Sequence, residues 1–214
     1  MSAVNEQIAR EYFESHGFFA RQANKYIVMA RNKRPSEEID LIIVKPAQTE
    51  QAVPAEILWT GRQLAGIACA VVSVRGWHSE RFTAQTLELS PQLFRFASAA
   101  AVDSVKPLVG DAPVAKIICL PDLPSSPQPR KDALEVIRAR GVDGVILFPT
   151  MIRELAVSIE ISNDYEKSDV LQLLRIVKNY DLFRDEQLDL FRKQPRKKKP
   201  QMTVDERESP ASDG

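Results

Sequence analysis

The sequence predicts an α/β protein with a mixed central sheet of about five strands flanked by helices, and three observations predict it. Short apolar runs at residues 39–44, 67–74, 116–120 and 142–148 have strand length and end at glycine, proline or charged residues. Between and after them lie stretches with apolar residues three and four apart, the period of a helix. Strand and helix signals that alternate in this way favour helices packed on the faces of one sheet. At 214 residues the chain suffices for one sizeable domain, and a domain near that length buries roughly 70% of its unfolded surface. We place that domain at residues 1–191 and a tail at residues 192–214.

Taken in order, residues 5–16 (NEQIAREYFESH) put Ile8, Tyr12 and Phe13 near one stripe of a helix, and Gly17 follows where a helix end takes glycine. Glu11 borders the stripe, three residues after Ile8. Residues 18–31 read as a first strand, most apolar from Tyr26 to Met29. Arg21, Lys25, Arg31, Lys33 and Arg34 supply five positive charges there with no negative one, a density suited to meeting a phosphate backbone by counterion release. After the turn at Arg34, Pro35 and Ser36, residues 38–45 form a second strand. Its run of Ile39, Leu41, Ile42, Ile43 and Val44 is that of a strand covered on both faces. Asp40 interrupts the run. An acid inside a buried strand costs free energy unless it is paired, hydrogen-bonded or bound to a metal.

Residues 46–66 read as a connector with a short extended piece at Ile57, Leu58 and Trp59, and residues 67–74 as the third strand. That strand ends in Ser73-Val74-Arg75, and Gly76, Trp77 and His78 follow. Ser90 and Pro91 read as an N-cap and a first helical residue, opening a helix with Leu93, Phe94, Phe96, Ala97, Ala100 and Ala101 on its apolar face. Residues 116–121 are a fourth strand, and the Pro/Ser-rich residues 122–129 a loop. A helix at about 130–140 stops at Gly141, and residues 142–148 make a fifth strand. Two helices follow, around 151–161 and 168–180, the second capped by Ser168. Past Phe191 the tail lacks the apolar residues that would offset its ordering entropy, so disorder is expected.

This element order, with Asp40 on the second strand and a polar-x-basic triplet ending the third, resembles the restriction-endonuclease-like, or PD-(D/E)XK, nuclease superfamily over roughly residues 5–150. The resemblance implies a restriction-endonuclease-like core with extra C-terminal helices. It also implies a site in which two carboxylates bind Mg²⁺, a lysine helps to orient or generate hydroxide, and a glutamate on the first helix often adds a ligand. By position, Asp40 matches the first acid and metal ligand, and Glu11 the helix glutamate. Ser73 stands where the second carboxylate belongs and Arg75 where the lysine belongs. Mg²⁺ needs hard oxygen ligands, and a neutral hydroxyl is a weak substitute. Arginine stays protonated and so cannot serve as a base, although it can hold a phosphate bidentately. A substitute acid is open among Glu38, Glu56, Glu80 and the second helix. His78, with Glu80 and Arg81, forms a polar knot after the triplet, in which His78, Arg75 and Arg81 are candidate phosphate contacts together with Arg31 and Lys33.

Charge qualifies that reading. Residues 192–214 hold seven Lys/Arg and four Asp/Glu in a chain of net charge zero, so the domain itself is faintly acidic, which is not the overall footprint of a nucleic-acid binder. The run Arg196, Lys197, Lys198, Lys199 offers nonspecific attraction to phosphates. Cys69 and Cys119 sit in apolar runs and read as buried, reduced thiols, without the polar surroundings of a catalytic thiol. No GxGxxG, GxxxxGK[ST] or GxSxG pattern occurs. No apolar run approaches the roughly 18 residues of a membrane span, and no signal peptide is visible, so a cytoplasmic location without membrane contact is expected. Three functions follow. The first is a nuclease-fold protein with a degenerate site, non-catalytic or weakly catalytic, that binds nucleic acid or a protein partner. The second is an active Mg²⁺-dependent phosphodiesterase acting on DNA or RNA through a relocated acid. The third is an α/β protein-interaction module with no nucleic-acid role and no cofactor.

Overall fold

The computed structural model describes residues 3–23, 38–79 and 81–182. The expected apolar centre of the first strand (Tyr26 to Met29), Arg31, Lys33, Glu80 and the tail lie outside them. Within them the chain is α/β, with five strands in one mixed sheet and helices on both faces. The strands are β1 (Phe19–Gln22), β2 (Leu41–Val44), β3 (Cys69–Val74), β4 (Ala115–Leu120) and β5 (Gly144–Leu147), adjacent in chain order. The pairs β1–β2 and β2–β3 are antiparallel, whereas β3–β4 and β4–β5 are parallel.

The apolar runs are strands because alternate residues serve different cores. In β3, Ala70, Val72 and Val74 join one cluster and Val71 the other. In β4, Ala115, Ile117 and Cys119 face one way, Ile118 and Leu120 the other. A period of two with both sides buried leaves no room for solvated residues. The first core is closed by α1 (Ala3–Ser15) through Ala9, Tyr12 and Phe13, by α6 (Phe148–Ser158) through Met151 and Leu155, and by α7 (Asp169–Asn179) through Leu174. The second is closed by α4 (Ala99–Val109) and α5 (Pro127–Ala139), through Ala101, Val105, Ala133 and Ile137. Two successive crossovers step the sheet outward in the same direction, and the helices of both pack on the same face.

Three local expectations change. Ser90 makes no side-chain cap, and residues Pro91–Ala97 form a 3₁₀ helix. The α-helix starts later, at Ala99, where the Ser98 hydroxyl accepts from the Ala101 amide. The connector at 46–66 contains α2 (Gly61–Leu64), opened by a capping box between Thr60 and Gln63; its extended piece pairs Leu58 with Val145 of β5. A further short helix, α3 (Ala84–Glu88), precedes the 3₁₀ turn. Among the described residues no helix is long and apolar enough to cross a membrane.

Candidate functional site

The antiparallel register of β2 and β3 sets Leu41 opposite Val72. The Asp40 amide donates to the Val72 carbonyl at 2.9 Å, so Asp40 continues the ladder and its side chain reaches the end of β3. One carboxylate oxygen, Oδ2, accepts from the Val74 amide at 2.7 Å and lies 3.3 Å from Ser73 Oγ. The Ser73 hydroxyl is also 3.3 Å from the Glu38 carbonyl, and its one proton serves one acceptor at a time. Arg75 leaves β3 alongside β4, its amide donating to the Cys119 carbonyl at 2.9 Å. Its guanidinium turns back onto β2: Nη2 is 3.3 Å from Glu38 Oε2 and Nη1 is 3.8 Å from Asp40 Oδ2. The side chains of Arg75, Glu38 and Asp40 are only 7%, 11% and 13% exposed. Nε of Arg75 is buried without an acceptor.

Burial dominates the electrostatics of Asp40. Removal from water pushes its carboxyl up to about 6 from an ordinary 3.8. The Arg75 charge and the Val74 amide pull it down, the field of Glu6 on α1 pushes it up, and Ser73 pulls it down. One cation thus faces two carboxylates, with a third acid nearby, and attraction at 3.8 Å does not offset desolvation.

The structure places Asp40, Ser73 and Arg75 together with Glu38, one of the substitute acids named from the sequence. Glu11 is engaged elsewhere: it accepts from the Ser168 hydroxyl at 2.6 Å, and Ser168 in turn caps α7 by accepting from the Leu171 amide. The α1 acid whose field reaches Asp40 is Glu6. His78 lies against α1, with Nε2 3.1 Å from Asn5 Oδ1 and its ring edge-on to Phe148 at 5.1 Å. The buried Asn5 amide in turn packs on the backbone of Gly76, where any Cβ would collide with it. Trp77 stacks on Phe82. Arg81 is exposed, and Arg31 and Lys33 lie outside the described residues. The basic contacts grouped from the sequence therefore do not form one described surface.

Two further polar centres had no sequence signal. Glu154 on α6 accepts from the Tyr12 hydroxyl at 2.9 Å and the Gly61 amide at 3.0 Å, tying α1, α2 and α6. Burial, then the bond to Glu154, pushes the Tyr12 hydroxyl up. An acid on a helix looks the same in sequence whether solvated or bridging. Asn5 is equally silent, one polar residue in the first turns of an amphipathic helix.

No protein-family model, curated protein or solved structure matches the chain. What the cluster can do must come from its own chemistry. A divalent ion needs several hard oxygens and no competing cation among them. Here the guanidinium lies against both carboxylates, and the second motif position offers a neutral hydroxyl. Among the described residues no group of three or more His, Cys, Asp or Glu is arranged to hold a metal ion. The donor set does not fit Mg²⁺.

Proposed function

We propose that this chain is a nuclease-fold protein with a restriction-endonuclease-like core whose former metal-binding corner has become an ion-pair cluster, and that it acts by binding rather than by hydrolysis. One observation carries the reading: the Arg75 guanidinium sits against Asp40 and Glu38, where a metal-dependent site would need a divalent ion. Arginine cannot give up its proton to activate water, and with its charge directed at two carboxylates it has little to offer a phosphate. Glu38, the best placed of the substitute acids for a phosphodiesterase, is already held by Arg75.

Of the two kinds of partner, a protein fits better than nucleic acid. The cleft between α1 and the residues leading into α7 is lined by five acids against two cations, which does not suit a polyanion. The test is direct. Purified protein is incubated with Mg²⁺ or Mn²⁺ and single- and double-stranded DNA and RNA, and binding to the same ligands is titrated at low and moderate salt. We expect no cleavage and no tight, salt-sensitive binding. Cleavage that disappears in Asp40→Ala would overturn the non-hydrolytic reading, and steeply salt-dependent binding would restore nucleic acid as the partner.

A further inference from the structure

Helix α7 has two apolar flanks and uses one. Leu174 is buried, with Val170 and Leu171 packed beside it on the first core. Leu173, Ile176 and Tyr180 form a second stripe at spacings of three and four, and they are 60%, 43% and 69% exposed. Val177 lies between the two stripes. The polar side of α7 is occupied differently: Arg175 donates to the Ile161 carbonyl, and the Lys178 ammonium donates to the Ala156, Val157 and Ile159 carbonyls, capping the end of α6. The exposed stripe is therefore a flank held in fixed orientation, with no described residue covering it.

The end of α7 indicates what covers it. The Asp181 amide bonds to the Lys178 carbonyl and the Leu182 amide to the Val177 carbonyl, both at 3.0 Å. Asp181 has φ 58°, the one left-handed non-glycine among the described residues. Together these make a Schellman ending, which stops the helix and turns the chain off its axis. An aspartate takes that conformation less readily than glycine does. Immediately after the turn the sequence reads FRDEQLDLF, with Phe183, Leu188, Leu190 and Phe191 apolar in nine residues.

Length and charge agree with a return along α7. From Leu173 to Tyr180 a helix rises about 10 Å, a distance that nine residues are long enough to cover in any backbone conformation. At the N-terminal end of α7 a cleft of about 830 Å³ lies between α1 and the residues leading into α7. Glu6, Glu11, Glu14, Asp164 and Glu166 line it, against two cations. The next residues of the chain are its most basic segment, Arg192, Lys193, Arg196, Lys197, Lys198 and Lys199. We propose that residues 183–191 dock on the Leu173/Ile176/Tyr180 flank of α7 and deliver the following basic run to the acidic cleft. The chain's own C-terminal segment is the occupant of this surface, and the basic run shields the cleft from other cationic ligands.

The full-length chain allows a clean test, because Cys69 and Cys119 are buried and contribute little background to thiol labelling. Leu173→Cys, Ile176→Cys and, as an exposed control on α6, Val157→Cys are labelled separately. We expect the two α7 thiols to react at least about tenfold more slowly than the control, the factor that about 1.4 kcal/mol of docking supplies. Adding Leu188→Asp with Phe191→Asp is expected to abolish the difference, and reversing Lys197, Lys198 and Lys199 to Glu to reduce it severalfold at low salt. Labelling of both α7 thiols as fast as the control overturns the proposal, as does protection indifferent to the Asp pair. Protection that fades on dilution assigns the flank to a second copy of the chain and also overturns it. Protection untouched by the charge reversals removes the cleft from the proposal.

Discussion

Replacing Asp40 with asparagine should make the protein's stability less dependent on pH. The side chain is 13% exposed, and burial pushes its carboxyl up to about 6, against an ordinary 3.8. Folding therefore takes up a proton between those values. A carboxyl raised in the folded state contributes stability that is fully present below about pH 4 and is lost as pH rises through about 6. At 1.36 kcal/mol per pH unit the loss is about 3 kcal/mol. Asparagine does not titrate, and its side-chain oxygen can still accept from the Val74 amide. Urea unfolding of both proteins from pH 4 to pH 8 should show Asp40→Asn gaining about 3 kcal/mol on the parent, most of it between pH 4 and 6. A difference that stays flat refutes the reasoning. A difference that runs the other way would mean that attraction to Arg75 outweighs desolvation, and that the cluster is a stabilising ion pair in the ordinary sense.

Three other outcomes are expected. Arg75→Met removes a cation shared by two largely buried carboxylates 3.3 and 3.8 Å away; we expect a loss of about 3–5 kcal/mol at pH 7.5 in denaturant unfolding, shrinking toward pH 5 as Asp40 becomes neutral. Gly144→Ala should cost about 1–3 kcal/mol, because a Cβ there would run into the fully buried Trp59 ring, whereas Gly110→Ala, with open space but φ 78°, should lose only about 1 kcal/mol; paired thermal melts separate the two. Cys69, pushed up to about 11 by burial, and Cys119, raised further by burial and the Asp40 charge, should resist thiol reagents at pH 8 until the chain unfolds, and early labelling in native buffer would contradict the packed core.

The strands were legible because burial on both faces writes itself into sequence as Val-, Ile- and Leu-rich runs; β2, β3 and β5 fall within the expected runs, and β4 starts one residue ahead of its own. What was not legible is local or remote. Whether Ser90 or Ser98 starts a helix turns on a few degrees of backbone, and both precede good helix formers. Four- and five-residue helices such as α2 and α3 are too short to show a period. The polar partners were the harder loss. Asp40 stood out because an acid within a buried strand demands an explanation, and Ser73 and Arg75 stood out by position. Glu38 sits at a strand entrance where acids are usually solvated, and nothing in its spacing marks it as the acid that Arg75 selects.

That selection also explains why the cluster tolerates its own imbalance. Among the described residues one guanidinium faces these two carboxylates, and the field of Glu6 also bears on Asp40. A divalent ion is one way to balance such a corner. Here the described residues supply the fixed charge of Arg75 and, below about pH 6, a proton on Asp40. The arginine cannot leave and brings no water with it, so it supplies the charge a metal would supply without the chemistry. A corner neutralised in this way holds β2 against the end of β3, and the variable that remains is protonation. Selection acting on such a site would preserve packing and pairing rather than metal chemistry.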